Sequence, residues 1–151
     1  MSIFSRSIRF ILMAFVAMFS MVSIAQETPT TAPAGVKLVE AAEVQALQGK
    51  GATLVDTRVA AEFAEATIKG AISVPYNPEK SAKAVGFDPK DDKFDLAKLP
   101  NKDAHIVSFC NSGTCWKSYK AAMMLAKAGY KNVYWYRNGV PDWKARKLPM
   151  E

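Results

Sequence analysis

The sequence contains a single histidine, His105, and only two cysteines, Cys110 and Cys115. His105 opens a short apolar run predicted to be a strand, and Cys110 follows five residues later. The two side chains then point to opposite faces of the strand and lie about 16 Å apart. This separation argues against a cysteine–histidine protease pair and against a zinc site built from both cysteines and the histidine. We predict neither a metal site nor a cofactor.

The sequence has one extended apolar run, 10–22, and that run is too short for a membrane span of about 20 residues. Arg6 and Arg9 precede it, and small residues lead to Ala25 at its end, which is typical of a secretory signal peptide. We therefore expect residues 1–25 to be cleaved, leaving a periplasmic or secreted protein with no stable membrane insertion. The alternative is a retained N-terminal anchor.

The chain also lacks a basic run. Its formal charge is +6, from 20 basic and 14 acidic side chains, and removal of residues 1–25 would reduce it to +4. The lysines are scattered and are not interleaved with aromatic residues. This pattern does not predict nucleic-acid binding.

Residues 26–35 are rich in threonine, proline and alanine, which predicts a flexible leader. Residues 36–151 are the length of one domain, and we see no internal repeat. Short apolar runs alternate with helical patterns, which predicts a central parallel sheet flanked by helices, an α/β fold. The predicted strands are 53–56, 70–75, 105–109 and 131–136, and the predicted helices are 39–47, 59–67, 95–99, 117–128 and 140–146.

Cys110 follows the strand 105–109 directly and precedes a small, polar loop. Ligands of parallel α/β sheets bind beyond the carboxyl ends of the strands, and Cys110 is at such an end. The free N–H groups at the start of the next helix, and those of a loop that curls inward, favour an anion. We therefore expect the Cys110 thiol to ionise readily and to act as a nucleophile. The alternative is a small buried residue at a strand end.

Several stretches resemble a rhodanese domain in the expected order. They are Leu54–Arg58, Ile68–Pro75, Ile106–Gly113, Ala128–Tyr130 and Asn132–Trp143. The resemblance covers nearly the whole chain from Val36 onward and implies a compact α/β domain with a central parallel sheet. It also implies that Cys110 takes a sulfur atom from a donor such as thiosulfate, becomes a persulfide, and passes the sulfur to a thiophilic acceptor. The implied partners are a small sulfur-containing anion or persulfide donor and a thiol protein as a candidate acceptor.

The loop departs from the usual rhodanese pattern in three ways. It is longer, it lacks the usual arginine, so that Lys117 is its only cation, and it carries a second cysteine, Cys115, followed by Trp116. Cys115 is a candidate resolving thiol, disulfide partner of Cys110 or second sulfur carrier. Trp116 stands where a cysteine phosphatase would place its phosphate-clamping arginine, which argues against phosphatase activity.

The other candidate site residues lie in the loop or at the end of the neighbouring strand. The loop candidates also have simpler interpretations. Residues 112–114 can be ordinary turn residues, Lys117 an exposed lysine at the helix start, and Trp116 a core aromatic. At the strand end, we favour a structural ion pair or loop anchor over substrate contact. The candidates for the anion-binding loop are Asn111, Ser112, Gly113, Thr114, Trp116, Lys117 and Ser118, and the supporting residues are Asp56 and Arg58.

Three functional hypotheses follow. The first is an exported sulfurtransferase that uses Cys110. The second is a thiol–disulfide or sulfur-relay module that uses both Cys110 and Cys115. The third is a catalytically silent rhodanese-like domain that presents the loop to a protein partner.

Overall fold

The computed structural model describes residues 26–151. The predicted signal peptide, residues 1–25, lies outside the described residues. Within residues 26–151, no helix is both long enough and apolar enough to cross a membrane.

The core of the molecule is a five-stranded sheet in which every pair of neighbouring strands is parallel. The strand order is β1-β5-β4-β2-β3, so β4 is the middle strand. Strand β4 is almost wholly buried, as expected for a parallel sheet covered on both faces. The strands are β1 Val36–Leu38, β2 Thr53–Asp56, β3 Ile72–Ser73, β4 His105–Phe109 and β5 Asn132–Tyr136.

Helices cover both faces of the sheet. The helices are α1 Ala41–Gly49, α2 Ala60–Glu65, α3 Trp116–Lys127 and α4 Gly139–Ala145, with short 3-10 helices at Glu79–Ala82 and Leu96–Lys98. On one face, Val44 of α1 and Trp143 of α4 pack with Val107 of β4. On the other face, Leu125 of α3 packs with Ile106 of β4 and with Tyr76, which follows β3. The predicted fold class, a single α/β domain with a central parallel sheet, is confirmed.

Several element boundaries differ from the prediction for local reasons. Strand β1 was not predicted because it has only three residues and none of them is fully buried. The predicted strand 70–75 shortens to β3, since Gly70 has a positive φ of 82° and sits in a turn. The predicted helix 95–99 is the 3-10 helix Leu96–Lys98. Helix α3 begins one residue early, at Trp116.

The long connection between β3 and β4 is fastened to α3 by a buried polar cluster. The Asp92 carboxylate accepts hydrogen bonds from the Tyr76 hydroxyl (3.1 Å), the Ser81 hydroxyl and the Asp88 amide (3.0 Å). The Lys120 ammonium lies 3.6 Å from the same carboxylate and donates to the Ser81 carbonyl oxygen at 3.3 Å. Each buried polar group therefore has a partner, which is what burial requires.

Candidate functional site

Cys110 lies at the carboxyl end of the middle strand, where the sequence places it, and is 2 % exposed. Cys115 immediately precedes α3 and is 7 % exposed. The two residues form a disulfide across a Cα–Cα distance of 6.2 Å. Of the three roles that the sequence left open for Cys115, the structure therefore shows that of disulfide partner.

The loop between the cysteines uses some of its amides internally. The Cys115 amide donates to the Ser112 carbonyl oxygen (3.0 Å), and the Thr114 amide donates to the Ser112 hydroxyl (3.3 Å). Thr114 therefore does not direct its N–H at sulfur, contrary to the role expected for it. The amides of Asn111, Ser112 and Gly113 have no hydrogen-bond acceptor among residues 26–151. These three amides are therefore candidate donors to an anion.

The start of α3 adds further donors. Cys115 is the N-cap residue, and its side chain makes no capping hydrogen bond. The first N–H groups of a helix have no partner within the helix, and this end of the helix carries partial positive charge. The loop and the helix start thus place a donor-rich, positively polarised backbone next to the two sulfur atoms.

The main chain of Cys110 is held by the start of α4. The Val140 amide donates to the Cys110 carbonyl oxygen at 3.0 Å. Gly139 has a positive φ of 60°, and a Cβ atom at this position would overlap that same carbonyl oxygen. Glycine at residue 139 is therefore needed both for the backbone conformation and for the close approach.

Asp56 and Arg58 support the other side of the loop. The Arg58 guanidinium forms a buried ion pair with Asp56, with an Nη2–Oδ2 distance of 2.6 Å. Its Nη1 also reaches the Asn111 side-chain oxygen at 3.5 Å, and Asn111 Nδ2 donates to Glu62 at 2.6 Å. These contacts agree with the favoured interpretation, a structural ion pair that anchors the loop.

Lys117 is buried rather than exposed. It is only 2 % exposed, so the interpretation as a solvent-exposed lysine is wrong. Within the described part of the chain, no carboxylate lies within ion-pair distance of its ammonium group. Burial lowers the pKa of Lys117, and the more distant charges of Glu79 and Glu62 partly oppose this shift. No fully enclosed side-chain nitrogen among residues 26–151 lacks a hydrogen-bond partner, so the Lys117 ammonium, at the tip of a buried side chain, still reaches solvent. A cation held in this way beside the cysteine loop is a candidate anion-binding group.

Ser118 and Trp116 have structural partners. The Ser118 hydroxyl accepts a hydrogen bond from Trp135 Nε1 at 3.0 Å, and its carbonyl oxygen accepts from Ser108 at 3.0 Å. Ser118 therefore ties α3 to the sheet and does not join the loop donors as expected. The Trp116 indole packs edge-to-face on Tyr119 at 5.4 Å, and its Nε1 donates to the Gln26 carbonyl oxygen at 2.9 Å.

Sequence reasoning missed two residues, Thr28 and Arg137. Thr28 is 3 % exposed, and both its amide (2.8 Å) and its hydroxyl (2.6 Å) donate to the Gly113 carbonyl oxygen. Arg137 Nε donates to the Thr28 hydroxyl at 3.1 Å, and a Cβ atom on Gly113 would lie 2.7 Å from the Arg137 guanidinium. The predicted flexible leader thus packs, in its first residues, on the cysteine loop. Arg137 could have been found, because it directly follows β5, the neighbour of β4.

Two cavities lie at opposite ends of the sheet. One of about 270 Å³ adjoins the loop and is lined by Arg58, Glu62, Asn111 and Lys144, among others. A larger one of about 350 Å³ lies beside His105 and Tyr134, at the far end of β4 from Cys110. Across the described ranges, no group of three or more histidine, cysteine or acidic side chains could hold a metal ion.

Two proteins of similar sequence are sulfurtransferases. The chain is 30% identical over 99 residues to a sulfurtransferase of Allochromatium vinosum, covering 64% of this chain and 76% of the relative. It is 28% identical over 111 residues to the human thiosulfate:glutathione sulfurtransferase, covering 73% of this chain and 95% of the relative. These relatives support a function of the sulfurtransferase type.

Solved structures show the same fold. A rhodanese-related protein from Thermoplasma volcanium superposes with a TM-score of 0.54 at 19% identity, covering 76% of this chain and 97% of that one. Thiosulfate sulfurtransferase from Pseudomonas aeruginosa gives a TM-score of 0.55 at 24% identity, covering 77% of this chain and 20% of that one. At the level of sequence, the family model for the rhodanese-like domain matches residues 40–146 of the chain. The chain therefore belongs to the rhodanese-like domain family.

Proposed function

We propose that the reduced protein is a sulfurtransferase in which Cys110 carries a sulfane sulfur from a small anionic donor, such as thiosulfate, to a thiol acceptor. The observation that carries this proposal is the position of Cys110, at the carboxyl end of the middle strand and directly before three loop amides that have no acceptor among residues 26–151. Lys117 adds an unpaired positive charge on the following helix. Together these groups favour the Cys110 thiolate and attract an anionic donor.

The proposed reaction has two displacement steps. The Cys110 thiolate attacks the outer sulfur of thiosulfate, the sulfur–sulfur bond of the donor breaks, and sulfite leaves with the electron pair. Cys110 then carries the transferred sulfur as a persulfide. The thiolate of the acceptor attacks that outer sulfur, takes it as a new persulfide, and releases Cys110 as the thiolate again. The Cys110–Cys115 disulfide must be reduced before the first step, because a disulfide-bonded sulfur is not a nucleophile.

Sulfur transfer from thiosulfate to cyanide or to a small thiol tests this proposal. Reduced wild-type protein should turn over, and Cys110→Ser should lose all activity above background. Cys115→Ser should keep the activity and should no longer need prior reduction. Full activity in Cys110→Ser would refute the assignment.

The disulfide itself favours a second candidate function, a thiol–disulfide or sulfur-relay module that uses both cysteines. This function would require Cys115 as well as Cys110. Cys115→Ser would then lose the ability to exchange disulfides with a dithiol substrate, whereas sulfur transfer from thiosulfate would be absent from the wild type. The same pair of variants therefore separates the two functions.

We also propose that the protein is exported with cleavage after Ala25. The support is the sequence pattern of residues 1–25 alone. Fractionation of the producing cells, followed by sequencing of the mature N-terminus, tests it. Gln26 at the N-terminus of periplasmic or secreted protein is the expected result, and an intact N-terminus in the membrane fraction would favour the retained anchor.

A further inference from the structure

Residues 26–29 form a short segment, here called the strap, that packs against the cysteine loop. Two strap residues, Thr28 and Gln26, make hydrogen bonds with the loop or with the start of α3. Thr28 donates twice to the Gly113 carbonyl oxygen, which belongs to the loop between the two cysteines. Gln26 accepts from the Trp116 indole, at the first residue of α3. The strap therefore holds both the middle of the loop and the residue after Cys115.

Arg137 fastens the strap from the other side. Its Nε donates to the Thr28 hydroxyl and to the Pro29 carbonyl oxygen, both at 3.1 Å. Its Nη2 donates to the Thr28 carbonyl oxygen at 3.0 Å and lies 3.3 Å from the Glu27 carboxylate. The guanidinium lies against Gly113, at a position where any larger residue would displace it. Arg137 is thus held between the strap and the loop.

The two sulfur-bearing residues are buried, and the strap contacts hold the loop that joins them. Cys110 is 2 % exposed and Cys115 is 7 % exposed. A thiolate that reduces a disulfide must reach one sulfur atom in line with the bond, so a buried disulfide is attacked through a locally opened state. The strap is the segment next to the loop that can open without breaking the sheet, because it precedes β1.

We propose that the strap is an autoinhibitory segment that shields the Cys110–Cys115 disulfide, so that a thiol reductant reaches the disulfide only after the strap has lifted. That this shielding inhibits the enzyme rests on the proposed function, since it is Cys110 that must become free. The first reductant thiolate attacks the sulfur of Cys115, the more exposed of the two residues, forms a mixed disulfide and expels Cys110 as the thiolate. A second thiolate then attacks the reductant's sulfur in the mixed disulfide, releases Cys115 as a thiolate and leaves the reductant as its own disulfide.

The test measures how fast dithiothreitol opens the disulfide of the oxidised full chain. Newly formed thiols are trapped with iodoacetamide and counted by intact mass. When lifting and closing of the strap are fast, the rate is proportional to the open fraction. Thr28→Val keeps the shape of the side chain and the bond from its amide, but removes the hydroxyl. We expect reduction to be about fivefold faster, and about tenfold or more faster for Arg137→Ala.

Two matched controls make the comparison specific. Thr28→Ser keeps the hydroxyl and should be reduced within about twofold of the wild-type rate. Arg146→Ala removes an arginine that pairs with Asp142 and does not touch the strap, so it should be reduced at the wild-type rate. Lifting of the strap exposes little surface, so the reduction rate should depend only weakly on urea, whereas global unfolding would give a steep dependence.

Equal rates for Thr28→Val and Thr28→Ser would overturn the proposal, and so would a steep urea dependence in the wild type. If Arg137→Ala fails to fold, the comparison of Thr28→Val with Thr28→Ser decides alone. The assay counts thiols and not transferred sulfur, so its outcome is separate from that of the proposed function. Unaltered reduction in the strap variants, together with normal transfer by pre-reduced protein, would reject the strap and leave the enzyme assignment standing.

Discussion

Helix α3 carries two buried lysines, Lys117 and Lys120, and their surroundings differ. Lys120 is 1 % exposed, lies 3.6 Å from the Asp92 carboxylate and donates to the Ser81 carbonyl oxygen. Lys117 is 2 % exposed and, within residues 26–151, has no ion-pair partner. Burial lowers the pKa of both lysines, but at Lys120 the adjacent Asp92 charge is the main opposing influence.

Under the proposed function, this difference marks Lys120 as structural and Lys117 as a substrate-binding group. A buried charge is costly, and a protein normally pairs it or loses it. At Lys120 the pairing serves to fasten the long connection between β3 and β4. At Lys117, beside the cysteine loop, the unpaired cation is explained if a substrate anion completes the pair. The comparison therefore predicts that one lysine supports stability and the other supports activity at some cost to stability.

The largest expected effect is on the structural side. Asp92→Ala leaves the Lys120 ammonium buried without a counter-charge, and we expect the free energy of unfolding to fall by about 3–5 kcal/mol. Urea unfolding followed by circular dichroism measures the change. Asp91→Ala is the matched control, because Asp91 is exposed and pairs with exposed Lys80, so its loss should cost less than about 1 kcal/mol. Similar losses in the free energy of unfolding for Asp92→Ala and Asp91→Ala would show that the Asp92 cluster does not stabilise the packing of the long connection on α3.

The second prediction compares the lysines directly by replacing each with methionine. Lys117→Met removes a largely desolvated charge that has no ion-pair partner, so the thermal midpoint should rise, while kcat/KM for thiosulfate should fall by about tenfold. Lys120→Met strands the Asp92 carboxylate, so its thermal midpoint should fall, while pre-reduced protein should keep its kcat/KM. Calorimetry measures the thermal midpoint of both variants, and steady-state kinetics measure their kcat/KM. Unchanged kinetics in Lys117→Met would remove the functional role of that lysine.

A smaller effect is expected at the edge of the Asp92 cluster. Tyr76→Phe removes one buried hydrogen bond to Asp92, at 3.1 Å, and keeps the aromatic packing. We expect a loss of about 1 kcal/mol in the free energy of unfolding, with no change in sulfur transfer. Tyr134→Phe, beside exposed His105 at the far end of the sheet, should lose less, because its hydroxyl contacts an exposed partner. A larger loss at Tyr134 would contradict this ranking.

The smallest effects are pH-dependent, and they have the same sign but fall in different pH ranges. Burial alone would raise the pKa of Asp92, but hydrogen bonds from Ser81 and Asp88 and the Lys120 charge outweigh it and lower the pKa. Its stabilisation is therefore present above the ordinary carboxyl value of about 3.9 and is lost as the pH falls below it.

Lys117 also has a lowered pKa, but it is a base, so the unfolded chain binds the proton more strongly than the folded one. Stability should therefore rise as the pH increases toward the ordinary lysine value of about 10.4. The difference in thermal midpoint between Lys117→Met and wild type should narrow over that range. A gap that is constant from pH 7 to about 10 would show that folding does not lower the pKa of Lys117.

The sequence was sufficient for those features that depend on local pattern. The apolar run of β4, the position of Cys110 and the helical spacing of α3 all lie in one continuous stretch, and the fold class follows from alternating elements. The burial of Lys117 was not predictable from its own stretch, because it depends on tertiary packing; the charges that oppose the shift in its pKa, Glu79 and Glu62, are distant in the chain.

Features that depend on contacts between distant segments were missed for the same reason. Thr28 and Gly113 are 85 residues apart, and Arg137 and Thr28 are 109 residues apart. A threonine- and proline-rich segment shows no hydrophobic period, so nothing in its own composition indicates that it packs. Strand β1 exists because it pairs with β5, not because of any strong preference of its three residues.

Mass spectrometry of the reduced protein after exposure to thiosulfate tests the central claim most directly. Peptide analysis should show one added sulfur atom on Cys110, in the wild type and in Cys115→Ser, and the addition should be weaker in Lys117→Met than in Lys120→Met. Added sulfur on Cys115 alone, or none on either cysteine in reduced, folded protein, would contradict the account.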